Sequence, residues 1–137
     1  MVQLRKPSPD DMICDPACGT AGFLISAAEY IREHYPNMTD KQWELFDTDT
    51  FSGFETDPTM LRISAMNLML HSITRPEVKW QDSISKNNEI KDRYDLILAN
   101  PPFTGTVDEE NINPALTRMA ATKKTELLFV NEFVRML

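Results

Sequence analysis

Cationic charge is scarce in this chain: 14 Lys and Arg stand against 21 Asp and Glu over 137 residues, a formal net charge of −7. Gripping a polyanion takes clustered cations that release counterions, so the chain by itself is excluded as a main phosphate-binding surface. Its one modest basic cluster, Arg118 with Lys123 and Lys124, reads as a solvated loop and helix start. Long hydrophobic runs are missing as well. The apolar stretches are short and broken by charges, and none follows Arg5 and Lys6. Neither a membrane span nor a signal peptide is supported, and a cytoplasmic location is expected. Cysteine and histidine number two each. Cys14 and Cys18 flank one expected turn, and His34 and His71 fall in separate helical patterns. No zinc spacing or disulfide framework results, so no metal is expected and both thiols read as small packing groups. The dinucleotide pattern Gly-x-Gly-x-x-Gly is absent too.

What is present is a chain with 42% hydrophobic residues, enough for one domain over residues 1–137 with a real core. Met12-Ile13-Cys14-Asp15 is a short apolar run ending in an acid. A glycine turn follows, and then Phe23, Leu24, Ala27, Ala28 and Ile31 recur at helical spacing. Residues 35–50 are polar and read as a connector around a short helical piece at 42–46. Phe51-Ser52-Gly53-Phe54-Glu55 reads as a second strand. Asp57-Pro58 supplies a helix cap and first-turn proline, before an apolar face of Leu61, Ala65, Leu68 and Met69. Further strands are expected at Val78-Lys79-Trp80-Gln81 and at residues 96–99. The four strands thus end at Asp15, Glu55, Asp82 and Asn100, the pattern of a doubly wound, mostly parallel α/β sheet whose polar strand ends converge on one rim. Residues 104–124 read as a long polar loop that is functional or mobile. The periodic run Leu127, Val130, Val134, Leu137 reaches the last residue without a cap, and Met1-Val2-Gln3-Leu4 starts as abruptly. Continuation at both ends is expected.

Three stretches carry chemistry. In Asp15-Pro16-Ala17-Cys18-Gly19-Thr20-Ala21-Gly22 the glycines allow close approach of a ligand, and the helix that follows offers free N–H groups to an anion such as a carboxylate. Glu55 could accept hydrogen bonds from two vicinal ribose hydroxyls, although it equally serves as a charge at a helix N-terminus. Asp82 could accept from an adenine amino group, or simply form a turn before Ser83. Asn100-Pro101-Pro102-Phe103 weighs more. Two rigid acceptors, the Asn100 side-chain oxygen and the Pro101 carbonyl, can hold the protons of an exocyclic amine and favour a tetrahedral nitrogen. Phe103 can stack on the planar ring. A proline-rich turn is the plain alternative.

The segments 15–24 and 94–103 resemble the cofactor and catalytic motifs of S-adenosylmethionine-dependent N6-adenine DNA methyltransferases. The stretch from Gly53-Phe54-Glu55-Thr56-Asp57-Pro58 through Met66-Asn67-Leu68-Met69-Leu70-His71 is similar to the modification subunit of type I restriction–modification systems. The resemblance covers nearly the whole chain and implies a truncated Rossmann-like class I methyltransferase core with strand order 3-2-1-4. It implies that S-adenosyl-L-methionine is bound by Asp15, Ala17, Gly19, Thr20 and Gly22 around its methionine part, by Glu55 at its ribose, and by Asp82 and Ser83 at its adenine. Asn100, Pro101, Pro102 and Phe103 would hold an adenine flipped from double-stranded DNA. A DNA-specificity subunit and a restriction subunit are the implied partners. Two rivals remain: a methyltransferase acting on RNA guanine or protein glutamine, and a catalytically silent cofactor-binding or assembly module.

Overall fold

The computed structural model describes residues 1–102, 109–119, 122 and 124–137. Phe103, Thr104, Gly105 and Lys123 therefore lie outside the described residues. Strands β1 (Ile13–Asp15), β2 (Phe51–Glu55), β3 (Glu77–Trp80) and β4 (Leu96–Ile97) form one sheet in the order β3-β2-β1-β4. All three pairings are parallel, as the alternation of strands and helices predicts. β1 is buried throughout and β2 is buried as far as Phe54, as a sheet covered on both faces requires. Alternation of side chains sorts the two faces. Ile13, Phe51, Val78 and Leu96 join a core with α2 (Gly22–His34), α3 (Asp40–Thr48) and α4 (Pro58–Leu70). Cys14, Phe54 and Ile97 instead pack with Met136 of α6 (Thr125–Met136). The short helix α1 (Val2–Arg5) adds Val2 to the first core.

Local chemistry sets the helix starts. The Asp57 carboxylate accepts from the backbone N–H of Thr59 (2.7 Å) and Met60 (2.9 Å), with Pro58 in the first turn. α2 buries the expected Leu24, Ala27, Ala28 and Ile31. On α4, Leu68 is buried, whereas Met69, assigned to the same face from sequence, is 55% exposed.

Three further expectations need correcting. The connector 35–50 contains a nine-residue helix, α3, rather than a short piece. Thr39 and Gln42 close a capping box at its start, and Phe46 meets Phe51 edge-on with ring centroids 5.0 Å apart. The capping box outweighs the polar composition on which the connector reading rested. In the described part of 104–124, a 3-10 turn at Glu109–Asn111 and a helix, α5 (Pro114–Met119), stand where a loop was expected; residues 104–108, 120, 121 and 123 of that stretch lie outside the described residues. Asn113 supplies the Asx turn that starts α5, its Oδ1 accepting from Ala115 N at 2.9 Å. Finally, α6 turns Thr125, Leu128, Phe129, Glu132 and Met136 inward. The predicted apolar face of Leu127, Val130, Val134 and Leu137 is 47–59% exposed. Both faces carry apolar residues at helical spacing, so periodicity alone cannot tell which one packs.

Candidate functional site

The register sets the site. Asp15 pairs with Gly53, two residues before Glu55, so both carboxylates project from the same face at the carboxyl rim. β4 lies on the other side of β1, and Leu98 N donates to Cys14 O (3.0 Å), which brings the chain to the rim two residues before Asn100. The crossing of the chain to either side of β1 creates the crevice where open α/β sheets bind ligands.

The first loop is tied down by backbone bonds. Cys18 N donates to Phe54 O (3.0 Å) and Ala21 N to Cys18 O (2.7 Å). Gly19 takes a left-handed φ of 51°, and Ala21 follows at 64°. A Cβ at Gly19 would meet nothing within 4 Å, so conformation rather than space favours glycine there. Gly53 is the opposite case. A Cβ there would lie 2.9 Å from Val78 Cγ1 and 3.0 Å from Cys18 Sγ, so its lack of a side chain lets the loop pack directly on β2. Burial pushes the Cys18 thiol up to about 12 and raises Cys14 too, in keeping with packing groups.

The two carboxylates differ in environment. Glu55 Oε2 accepts from Gly19 N (3.0 Å), while Oε1 accepts from Thr56 N (2.7 Å) and Asp57 N (2.9 Å). It therefore staples the first loop to the turn after β2, just ahead of α4, whose own cap is Asp57. Asp15 is 2% exposed and, among the described residues, receives only Ala17 N, at 3.1 Å. Burial pushes its carboxyl up to about 7, the Ala17 amide opposes this, and the Glu55 charge adds to it. Asp82 is exposed and caps a turn through Ile84 N (3.1 Å). Ser83 is buried, its hydroxyl donating to Pro16 O.

Two clefts open at this rim. One, of about 430 Å³, is lined by Asp15, Ala17, Gly19, Thr20, Gly22 and Asn100, together with Cys18, Phe23 and Ser26. The other, of about 500 Å³, is lined by Ala17, Glu55, Asp82, Ser83, Asn100 and Pro102, with Phe54, Ile84 and Phe129 among its apolar walls. Ala17 and Asn100 belong to both. The structure thus brings together every described residue of the predicted site except Pro101, which lines neither cleft. Acidic groups in both adjoining clefts, with Phe54, Ile84 and Phe129 lining the larger one, suit a ligand that carries positive charge, hydroxyls and an apolar ring. Thr125 and Phe129 also line the larger cleft, and sequence reading missed them because they come from α6, far along the chain. A groove of about 680 Å³ between α1 and α2 carries none of the predicted residues. Among the described residues no group of three or more His, Cys, Asp or Glu could hold a metal ion, and no helix is long and apolar enough to cross a membrane.

A parallel sheet with its crevice at the carboxyl rim, beside the strand from which the chain runs to both sides, defines a Rossmann-like α/β fold. Residues 1–137 match the model of the N-6 DNA Methylase family, and the chain belongs to that family. It is 28% identical to the type I restriction enzyme StySPI methylase subunit of Salmonella potsdam, across 100% of this chain and 27% of that protein. Among solved structures it resembles a modification subunit of a putative type I restriction enzyme from Vibrio vulnificus YJ016, at 28% identity and TM-score 0.76, over 98% of this chain and 28% of the other. It also resembles the type I restriction enzyme EcoKI M protein, at 25% identity and TM-score 0.87, over 100% and 29%; the EcoKI methylase subunit is from Escherichia coli strain K12. The chain spans between 27% and 29% of the length of these relatives.

Proposed function

We propose that this chain is part of the catalytic domain of a type I modification subunit, which transfers a methyl group from S-adenosylmethionine to N6 of an adenine flipped out of double-stranded DNA. The observation that carries the reading is the pair of clefts sharing Ala17 and Asn100, since one ligand can span both while a second group meets it at Asn100. The donor set fits a cationic cofactor: Asp15 is a buried carboxylate with a single amide partner, and added positive charge would stabilise its ionised form. In this reading Asp15, Ala17, Gly19, Thr20 and Gly22 hold the methionine part, Glu55 the ribose, and Asp82 with Ser83 the adenine. When bound, S-adenosylmethionine supplies a sulfonium-activated methyl group for direct displacement. Asn100 and the Pro101 carbonyl accept the N6 protons of the target, which draws the nitrogen lone pair out of conjugation with the ring. Pro102 stiffens the turn, and Phe103, assigned from sequence alone, stacks on the base.

A net charge of −7 means that most of the grip on DNA phosphates comes from other parts of a longer protein or from partners. A specificity subunit and a restriction subunit are the partners this reading assigns, in the cytoplasm. The test is a methyl-transfer assay with labelled S-adenosylmethionine on the complete protein and its specificity subunit, followed by nucleoside analysis. N6-methyladenine in duplex DNA is the expected product. Label in RNA guanine or protein glutamine would replace the substrate assignment, and cofactor binding without turnover would identify a silent module.

A further inference from the structure

Beneath the larger cleft lies a buried polar network that the reading above does not use. α6 lines that cleft with Thr125 and Phe129, and about one turn further along the same face comes Glu132, fully buried at 0% exposure. Its Oε1 accepts from Asn88 Nδ2 (2.8 Å) and from an Arg135 terminal nitrogen (2.9 Å), and its Oε2 from Arg135 Nε (3.0 Å). Asn88, 1% exposed, donates in addition to Ser83 O at 2.7 Å. The main-chain oxygen of Asn88 accepts from Arg135 (2.8 Å) and from Asn113 Nδ2 (2.7 Å). Ser83 in turn bonds Pro16 of the first loop. One unbroken chain of hydrogen bonds therefore runs from α6 through the 82–88 loop to the loop after β1. A branch reaches Asn113, in the segment that follows the Asn100 turn.

Stability alone does not call for such an arrangement. A buried ion pair can often be exchanged for apolar residues of similar volume at little or no cost, which leaves room for a role in fixing geometry. Every donor around Glu132 points at its carboxyl oxygens; burial pushes that carboxyl up to about 7, Arg135 opposes this, and the Asp82 charge on the cleft rim adds a smaller upward push. We propose that Glu132 is a positioning residue for the cofactor: acting through Asn88, it holds Ser83 and the Asp82 turn against Pro16 and so sets the shape of the larger cleft. This rests on reading that cleft as part of the S-adenosylmethionine site.

The experiment is calorimetric titration of the full-length protein with S-adenosylmethionine at pH 8, comparing wild type, Glu132→Gln, Ser83→Ala and the double variant. Each single change should weaken binding about tenfold, the effect of losing one hydrogen-bonded tether. The double variant should be little weaker than either single, because both break the same connection. Thr39→Ala, which removes the α3 cap, lowers stability without touching the network and should leave affinity unchanged. Glu132→Met/Arg135→Met keeps the volume without a stranded charge and should show the same loss as Glu132→Gln, which settles the matter if the Gln variant fails to fold. Wild-type affinity in either Glu132 variant, effects that multiply in the double variant, or an equal loss in Thr39→Ala overturns the proposal. A wild-type protein that does not bind S-adenosylmethionine overturns the cofactor reading along with it, whereas a binding wild type with an indifferent Glu132 overturns the positioning role alone.

Discussion

Asp15 offers the sharpest test of the crevice as a cation-binding site. Its carboxyl is buried, has one amide partner, and titrates at about 7 rather than at its ordinary 3.8. Without ligand, about 3% is ionised at pH 5.5 and about half at pH 7. If S-adenosylmethionine binds only the ionised form, affinity should rise about sixteenfold over that interval, or about 1.6 kcal/mol. The window ends below about pH 8, where an α-amino group begins to lose its own proton. Calorimetry on the full-length protein at three or four pH values measures the slope directly, and Asp15→Asn should bind weakly with no slope. The sign for stability is opposite. A folded-state pKa above the unfolded one contributes stability that is fully present below about pH 4 and is lost as pH rises through about 7. The unliganded protein should therefore lose Asp15's contribution over the same interval in which ligand binding strengthens. A flat wild-type profile, or a slope that persists in Asp15→Asn, would refute the assignment.

Three other outcomes are expected. Asn100→Ala in the complete enzyme should lower kcat on the order of a hundredfold while leaving S-adenosylmethionine affinity nearly unchanged, because the lost acceptor matters most as the nitrogen becomes tetrahedral; wild-type turnover would make the turn purely structural. Glu55→Gln turns an amide N–H toward backbone donors and should weaken cofactor binding by about 1–3 kcal/mol, which titration against wild type checks. Gly53→Ala forces Val78 or Cys18 to move and should destabilise the fold by about 1–3 kcal/mol, read as a lower denaturation midpoint.

The frame of the fold was legible because its signals are local. Short apolar runs ending in Asp15, Glu55 and Asp82, each followed by turn or cap chemistry, are sufficient to identify parallel strands and their shared rim. The Asp57-Pro58 helix start was readable for the same reason. What escaped was set by contacts between distant segments. That Thr125 and Phe129 line the cleft while Glu132 is buried depends on which face of α6 turns inward, and that follows from Ile84, Ile112 and Leu116 in the small core it joins. Periodicity instead picked Leu127, Val130 and Val134, which are exposed. The sequence places Gly53 within an expected strand, and the approach of Cys18 and Val78 is what explains a glycine there.

The two acids on the shared face divide the work of the crevice. Glu55 accepts from three backbone amides, two from its own turn and one from the first loop, so the relative position of those segments is set before any ligand arrives, while its Oε2 keeps room for a further donor. Preorganisation of this kind lowers the ordering cost of binding. Asp15 receives one amide and is almost completely shielded from water, so its protonation is left open to whatever charge enters the crevice. A neutral ligand would leave it half protonated at neutral pH, while a cationic one would fix it in the ionised form and gain from doing so. In the proposed reading, one carboxylate holds the shape of the site and the other senses the charge of its occupant. A pair of equally solvated acids at the same strand ends could not discriminate in this way, because water would screen both.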